Sequence, residues 1–351
     1  MMIKETPSEK FIQSESFNHY FDKVTGFAAT WGKTKEENPD FCPFGPLLAD
    51  IEIVVDGCPK GKSGKICNFC YKGNSTGVPQ YMSLETFKTI FYKLPKTIGQ
   101  IAFGITSVNA NPDTYAIMEF CRDNGVIPNV TISGRDNLTD NQIEALVSLL
   151  GACAFSIYQE DKDQCYDLIY RFAKAGLKQQ NIHYMISLES IDFAYEVIND
   201  IKTDDRLYNI NAIVFLSLKP KNRGALYHQL PQEEFTKLFQ HCMKNGISYG
   251  ADSCGAHKTL NAMTDVQRKQ FGNSIQDCES TRESMYVDYL GNFFPCSFIA
   301  GEELNIWKTG IDLLTITDFS KDVWYHPSVV SFRDKVMTCN KNCGNCCHFK
   351  V

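Results

Sequence analysis

No stretch of this chain approaches the roughly 18 to 20 apolar residues that a membrane span needs, and Met1 to Lys10 is polar and charged where a secretory leader would be apolar. A cytoplasmic protein without a membrane partner is therefore expected. There is no basic stripe either. The 35 Lys and Arg are scattered among 41 Asp and Glu, for a net charge of -6, so no nucleic-acid backbone is expected as a partner. Nor is the chain poor in core-forming residues, because 43% of it is hydrophobic and 22% charged, a balance that argues against disorder or a fibrous repeat. What the chain has in excess is cysteine, at fifteen of 351 residues. An odd count without a leader does not close into a disulfide framework, and it points to metal or redox chemistry in a reducing compartment.

Residues 1 to 46 are polar and punctuated by Gly and Pro, with no sustained period, and read as an arm that packs on a larger body. From residue 47 the pattern is regular. β-Branched or aromatic runs at Ile51 to Val55, Gln100 to Gly104, Asn129 to Ser133, Ala152 to Tyr158, Asn181 to Leu188, Ile210 to Leu218 and Ile247 to Ala251 alternate with six segments of helical period. Thr139 with Gln142 forms a capping box, Gly176 ends one helix, and Pro231 and Asn245-Gly246 bracket another. Seven strands with six crossovers make a parallel α/β domain over 47 to 260, whose chemistry gathers at the carboxyl ends of the strands. Residues 261 to 351 read as a smaller module with a cysteine-dense end.

Directly after the first of these strands stand Cys58, Cys67 and Cys70, the last two as Cys67-Asn68-Phe69-Cys70, in a loop rich in Gly and Lys. Three thiolates at a strand end can share one metal centre and leave one position open. A zinc knuckle or three unrelated buried thiols is the competing reading of the loop. The segment resembles the cluster-binding loop of radical S-adenosylmethionine (radical SAM) enzymes, in which three cysteines follow the first strand of a partial (β/α)6 TIM-like barrel and an aromatic residue, here Phe69, precedes the third. The resemblance implies that Cys58, Cys67 and Cys70 hold a 4Fe-4S cluster whose open iron chelates SAM. Reductive cleavage of SAM to a 5'-deoxyadenosyl radical, which abstracts hydrogen from a substrate, is the implied reaction. The Cys58 to Cys67 interval is longer than is usual in the family, an insertion that costs little closure entropy in a loop.

Other strand ends carry residues that the resemblance associates with SAM. After the second strand comes Gly104-Ile105-Thr106-Ser107-Val108-Asn109, without the acidic residue usual there, so Gly104, Thr106 and Ser107 are the candidates for the SAM amino group. Ser133, Arg135 and Ser156 are the candidates for its carboxylate and ribose. Ordinary turn chemistry is the competing reading of each. Lys219 to Gly224 sets three cations at the rim of the barrel, as a solvated loop or a contact to substrate or SAM.

A second constellation comprises Cys278, then Gly291 and Cys296, then Cys339, Cys343, Cys346 and Cys347. Gly291, with four residues between it and Cys296, suits a hairpin that presents the thiolate. The arrangement resembles the SPASM and twitch extensions of radical SAM enzymes, the single-cluster twitch form fitting six cysteines better. It implies an auxiliary 4Fe-4S cluster on Cys278, Cys296, Cys343 and Cys346, with Cys339 or Cys347 able to replace either late ligand. A closed four-cysteine site also fits structural zinc. An auxiliary cluster favours oxidation or cross-linking over rearrangement, because it can take up one electron. The implied partners are a peptide, a protein side chain or a small polar molecule as substrate, and flavodoxin or ferredoxin as electron donor. Cys254, after the seventh strand, is the candidate catalytic residue, as proton or hydrogen donor or thiyl partner, and a plain buried thiol is the alternative. His183 and Tyr184 on the fifth strand are weaker candidates. A non-catalytic Fe-S or zinc scaffold with a degenerate SAM site is the rival to the enzyme reading.

Overall fold

A computed structural model describes residues 1–272, 275, 277–302 and 305–342. Cys343, Cys346, Cys347 and His348 lie outside the described residues.

The amino-terminal segment is more ordered than its sequence suggests. It forms a four-stranded antiparallel meander of β1 (Met2–Glu5), β2 (Glu9–Gln13), β3 (Asn18–Asp22) and β4 (Ala28–Trp31). Each strand is four or five residues long, so alternation ends before a period can be read. Across the ladder, Phe11 pairs with Tyr20 and Tyr20 with Ala29 on the outer face, while Ile12, His19 and Phe21 are buried. Asp22 Oδ1 accepts the amides of Val24 and Thr25, and Gly26 takes the positive φ of 76° that closes this turn.

The body follows the expected alternation: β5 (Leu48–Glu52), the short pair β6 (Val54–Val55) and β7 (Gln80–Tyr81), α1 (Leu84–Phe91), β8 (Gln100–Gly104), α2 (Thr114–Asp123), β9 (Ile127–Ser133), α3 (Asp140–Leu149), β10 (Cys153–Ser156), α4 (Lys162–Lys174), β11 (Gln180–Ile186), α5 (Ile191–Thr203), β12 (Ala212–Ser217), α6 (Gln232–Lys244) and β13 (Tyr249–Ala251). The expected run from Ile51 to Val55 is divided, because β6 leaves the main sheet to pair with β7. Thr139 caps α3 through the expected box with Gln142. Beyond β13 come α7 (Ala256–Ala262), α8 (Asp265–Phe271), β14 (Ser284–Val287), β15 (Asn292–Phe294), β16 (Ile311–Asp312) and α9 (Pro327–Asn342).

The main sheet has the order β13-β12-β11-β10-β9-β8-β5-β14-β15-β16, and every pairing from β13 to β14 is parallel. The architecture is a mixed α/β fold on a central parallel sheet, as in a partial barrel. The carboxy-terminal segment continues that sheet, since β14 lies alongside β5 with Tyr286 opposite Asp50.

Alternate residues divide the sheet's two faces. Ala49, Ile51, Ile101, Phe103, Val130, Ile132, Phe155, Ile182, Ile213 and Phe215 join one buried core beneath the helices. The opposite, inner face carries Asp50, Ala102, Asn129, Thr131, Ser156, His183 and Val214, partly or fully reached by solvent except where neighbours close over it. A polar inner face is unusual for a sheet buried on both sides and marks the lumen as a place for a polar ligand. Cys121, Cys153, Cys165 and Cys242 are buried as free thiols.

Candidate active site

The cysteine loop begins with a strained turn. Asp56 and Gly57 both take positive φ, 59° and 65°, a conformation costly for a residue with a side chain. It is held from two sides. Asp56 Oδ1 accepts the Ser75 amide at 2.7 Å and Cys58 N–H donates to Ser75 O at 2.9 Å, while Thr106 Oγ1 donates to Asp56 O at 2.6 Å. Thr106, one of the expected SAM contacts, therefore ties the second strand's exit to the base of the cysteine loop. Behind them buried Asn111 donates to both Ile53 O and Met82 O at 3.0 Å.

The long interval between Cys58 and Cys67 has a structure of its own. Gly61 and Lys65 close a turn (2.9 Å), and the Lys62 amide donates to Asp161 Oδ1 at 2.9 Å. A Cβ on Gly61 would run into the side-chain ends of Glu160, Asp161 and Arg135, so glycine lets the loop approach this ion-paired cluster without displacing it. The tip, Lys62 to Lys65, is exposed.

The three partly buried thiols face one another closely enough to interact. Enclosure pushes the Cys58 thiol up to about 12, with Cys70 and Cys67 adding to the shift. Cys67 is likewise raised by burial, against a hydrogen bond from the Tyr158 hydroxyl. Burial thus favours the neutral thiol at Cys58 and Cys67, and a metal centre would displace their protons. Among the described residues no three His, Cys, Asp or Glu side chains converge around a single ion.

The walls of the site are aromatic and cationic. Phe69 stacks on Tyr158 (centroids 6.5 Å apart, 20° between planes) and meets Tyr227 edge-on. Ser133 Oγ donates to Tyr158 Oη at 3.4 Å. The Arg135 guanidinium lies over the Tyr158 ring, 4.0 Å from its centroid, with Nε on Asp161 and Nη2 on Glu160, both at 2.6 Å. Arg135 is only 6% exposed, and its Nη1 is buried without a partner among the described residues. An orphaned guanidinium nitrogen is costly unless an acceptor arrives. Ser107 and the Val108 amide bond to Asp136, whose carboxyl burial pushes up to about 6. Gly104 lies against Glu52, and Ser156 sits on the inner face at the end of β10.

The Lys219 to Gly224 turn is neither a free solvated loop nor an open binding edge. Arg223 donates to three carbonyls of the cysteine loop, Cys67 O at 2.9 Å, Gly73 O at 3.2 Å and Asn74 O at 2.8 Å, and Asn222 Nδ2 donates to Tyr71 O at 2.6 Å. Lys221 reaches the other constellation, donating to Phe298 O at 2.9 Å and Ala300 O at 2.8 Å and pairing with Glu302 at 3.1 Å. A Cβ on Gly224 would meet the backbone oxygens of Lys219 and Phe69. One turn grips both cysteine constellations. They also touch directly, where Tyr71 donates to Ser297 Oγ at 3.0 Å and packs on Phe298 at 4.4 Å.

Cys278 and Cys296 are partly buried and packed on the core, Cys339 lies on α9, and the expected ligands Cys343 and Cys346 fall outside the described residues. Cys254 is pushed up to about 12 by burial, with Lys219, itself ion-paired to Asp252 at 3.0 Å, as hydrogen-bond partner. His183 faces the lumen and bonds Thr131 at 3.1 Å, and burial holds it down to about 4, so it is neutral near pH 7. Tyr184 points the other way, bonding Ser190 O. Tyr158, Glu160, Asp161 and Asp136 were not legible as site residues; only their places just after strand ends point to them.

Asp161 offers a test of this wall. It is fully buried and joins the Lys62 amide to Arg135. Removing one partner of a buried pair costs about 3 to 5 kcal/mol. Asp161→Asn should therefore lower the melting temperature by several degrees in calorimetry and release the loop tip to proteolysis; an unchanged cleavage pattern would refute the anchoring role.

The sequence matches no family model and no curated protein. Among solved structures, Streptococcus suis SuiB bound to the precursor peptide SuiA superposes with a TM-score of 0.71 at 11% identity, over 95% of this chain and 90% of that one. A second SuiB structure gives 0.65 at 13% identity over the same shares. Coproporphyrinogen III oxidase (HemN) from Escherichia coli, a radical SAM enzyme, matches at 0.38 and 12% identity, over 58% of this chain and 52% of that one, too loosely to carry an argument. The likeness to SuiB shows a shared fold. No helix among the described residues is long and apolar enough to cross a membrane.

Proposed function

We propose that this chain is a radical SAM enzyme that abstracts hydrogen from a substrate and oxidises or cross-links it. The observation that carries the reading is the cysteine site itself: three interacting thiols at the carboxyl edge of a parallel sheet, beside a buried arginine with one unpartnered nitrogen. Cys58, Cys67 and Cys70 would hold a 4Fe-4S cluster, which would supply the electron for cleavage of SAM to methionine and a 5'-deoxyadenosyl radical. Arg135 Nη1 is suited to the SAM carboxylate, because Nε and Nη2 are fixed on Asp161 and Glu160 and a carboxylate would give it a charge-assisted hydrogen bond. Phe69 and Tyr158 wall the site and exclude water. The main chain of Gly104 to Ser107, braced by Asp136, is left to receive the SAM amino group.

Cys278 and Cys296 would hold an auxiliary cluster with Cys343 and Cys346 in the 261 to 351 module, or with Cys339 or Cys347 in place of one. Cys254, kept neutral, retains the S–H that a proton or hydrogen donor needs. A peptide is favoured as substrate over a small polar molecule, supported by the fold shared with SuiB, which was captured with a precursor peptide. A flavodoxin or ferredoxin is the proposed electron donor and the cytoplasm the proposed site of action.

The test is anaerobic reconstitution with iron and sulfide, metal analysis, EPR of the reduced protein and assay of 5'-deoxyadenosine. About eight irons per chain with SAM cleavage is the expected result. Zinc, or a cluster that never cleaves SAM, would establish the scaffold reading instead.

A further inference from the structure

We propose that the cavity between the amino-terminal meander and the foot of the parallel sheet binds a small oxyanion. It lies at the amino ends of the strands, beside Ile98 before β8 and Val126 before β9, on the opposite edge from the cysteines. Its volume is about 250 Å³, and its lining includes Glu5, Lys10, Lys96 and Asn124 over an apolar floor that contains Phe91 and Leu94.

The charges around it do not balance. Lys10 is 3% exposed and Lys23 5% exposed, and both turn to the same carboxylate oxygen, Glu5 Oε1, at 3.5 and 2.7 Å. Two buried ammonium groups thus share one carboxylate, and Lys96 stands exposed at the rim. Buried charge is normally paired one to one. Part of the excess has a structural use. Lys23 also lies beside Gly125, just past the end of α2, where the helix dipole favours a cation.

Lys10 is not used up in this way. An ammonium has three donors. Lys10 gives one to Ile98 O at 2.7 Å and stands at long range from Glu5, so at least one N–H remains for the cavity that Lys10 lines. Burial lowers its pKa, and Lys23 and Lys96 lower it further, against the opposite pull of Glu5. An anion between Lys10 and Lys96 would relieve that repulsion and supply the missing counter-charge. Orthophosphate suits the site in size and in acceptor number. Because the lining comes from both the meander and the sheet, a bound anion would strengthen their docking.

The experiment measures inorganic phosphate binding to the full chain by titration calorimetry, with thermal melts in phosphate and in chloride at matched ionic strength. Saturable binding that raises the melting temperature is expected. Lys96→Gln, an exposed position that leaves the fold intact, should weaken binding about tenfold, the worth of one charge-assisted contact. Glu5→Gln should strengthen it while lowering stability in chloride, an opposite pair of shifts that a merely structural ion pair would not produce. No saturable binding, or equal affinity in all three proteins, means an adventitious ion only and overturns the proposal. SAM cleavage plays no part in the measurement, so its outcome is independent of the enzyme reading.

Discussion

Cys67→Ala is expected to abolish SAM cleavage while leaving the fold intact. Without a metal Cys67 is a neutral, partly buried thiol whose hydrogen-bonding partner is Tyr158, so alanine removes one small group from a surface loop. A loss of about 1 kcal/mol or less is the scale for such a change, too small to unfold a core of this size. The metal consequence is far larger. Two thiolates do not retain a cluster that needs three, and total iron should fall from about eight to about four per chain, with 5'-deoxyadenosine at background. Cys121→Ala is the control. Cys121 is wholly buried on α2, so its substitution leaves a cavity and lowers the melting temperature, yet it should keep both iron and activity. If Cys67→Ala retains cleavage, the loop is not the cluster site.

The body of the fold was readable because β-branched runs alternate with helical periods and the switches carry local marks, as in the capping box at Thr139 and the proline that precedes α6 at Pro231. The meander was not. Its four-residue strands β1 and β4 are held by pairing with neighbours, and pairing leaves no local periodicity. The division of Ile51 to Val55 into two ladders has the same origin, since β6 turns away to meet a strand some 25 residues later in the chain. Local propensity describes a strand's content and not its partner.

The cysteines after β5 stood out in the sequence for a different reason, that their chemistry is rare and that only two residues separate Cys67 from Cys70 behind a strand. The residues around them were hidden. Arg135 was a candidate from its position after β9, yet its partners Glu160 and Asp161 sit in an acidic turn that looks like any helix start. Lys219 to Gly224 shows the limit most plainly. Its cations look available for substrate, but Lys219 ends on Asp252 and Lys221 and Arg223 reach backbone carbonyls, and a carbonyl acceptor has no signature in sequence, being present at every residue.

That hidden grip leads to the second large effect, at Arg223. The cysteine loop is long, and its turn at Asp56 and Gly57 is strained, so its closed form needs to be held from outside. Arg223 supplies three hydrogen bonds to carbonyls of residues 67, 73 and 74, and its charge favours the thiolate at Cys58. Hydrogen bonds to a charged group contribute about 1.5 to 3 kcal/mol each; two good ones and one long one place the loss on removal at about 3 kcal/mol or more, roughly a hundredfold in the closed population. Arg223→Met should therefore incorporate little of the first cluster, seen as a loss of about four irons and of the SAM-dependent EPR change. The auxiliary iron and the global melting transition should persist. Arg223→Lys should be intermediate, because a single ammonium keeps the charge but does not fork across carbonyls six and seven residues apart. Full iron content and unchanged cleavage in Arg223→Met would show that the loop holds its shape without this arginine, leaving the strained Asp56 turn to be stabilised by Ser75 and Thr106 alone.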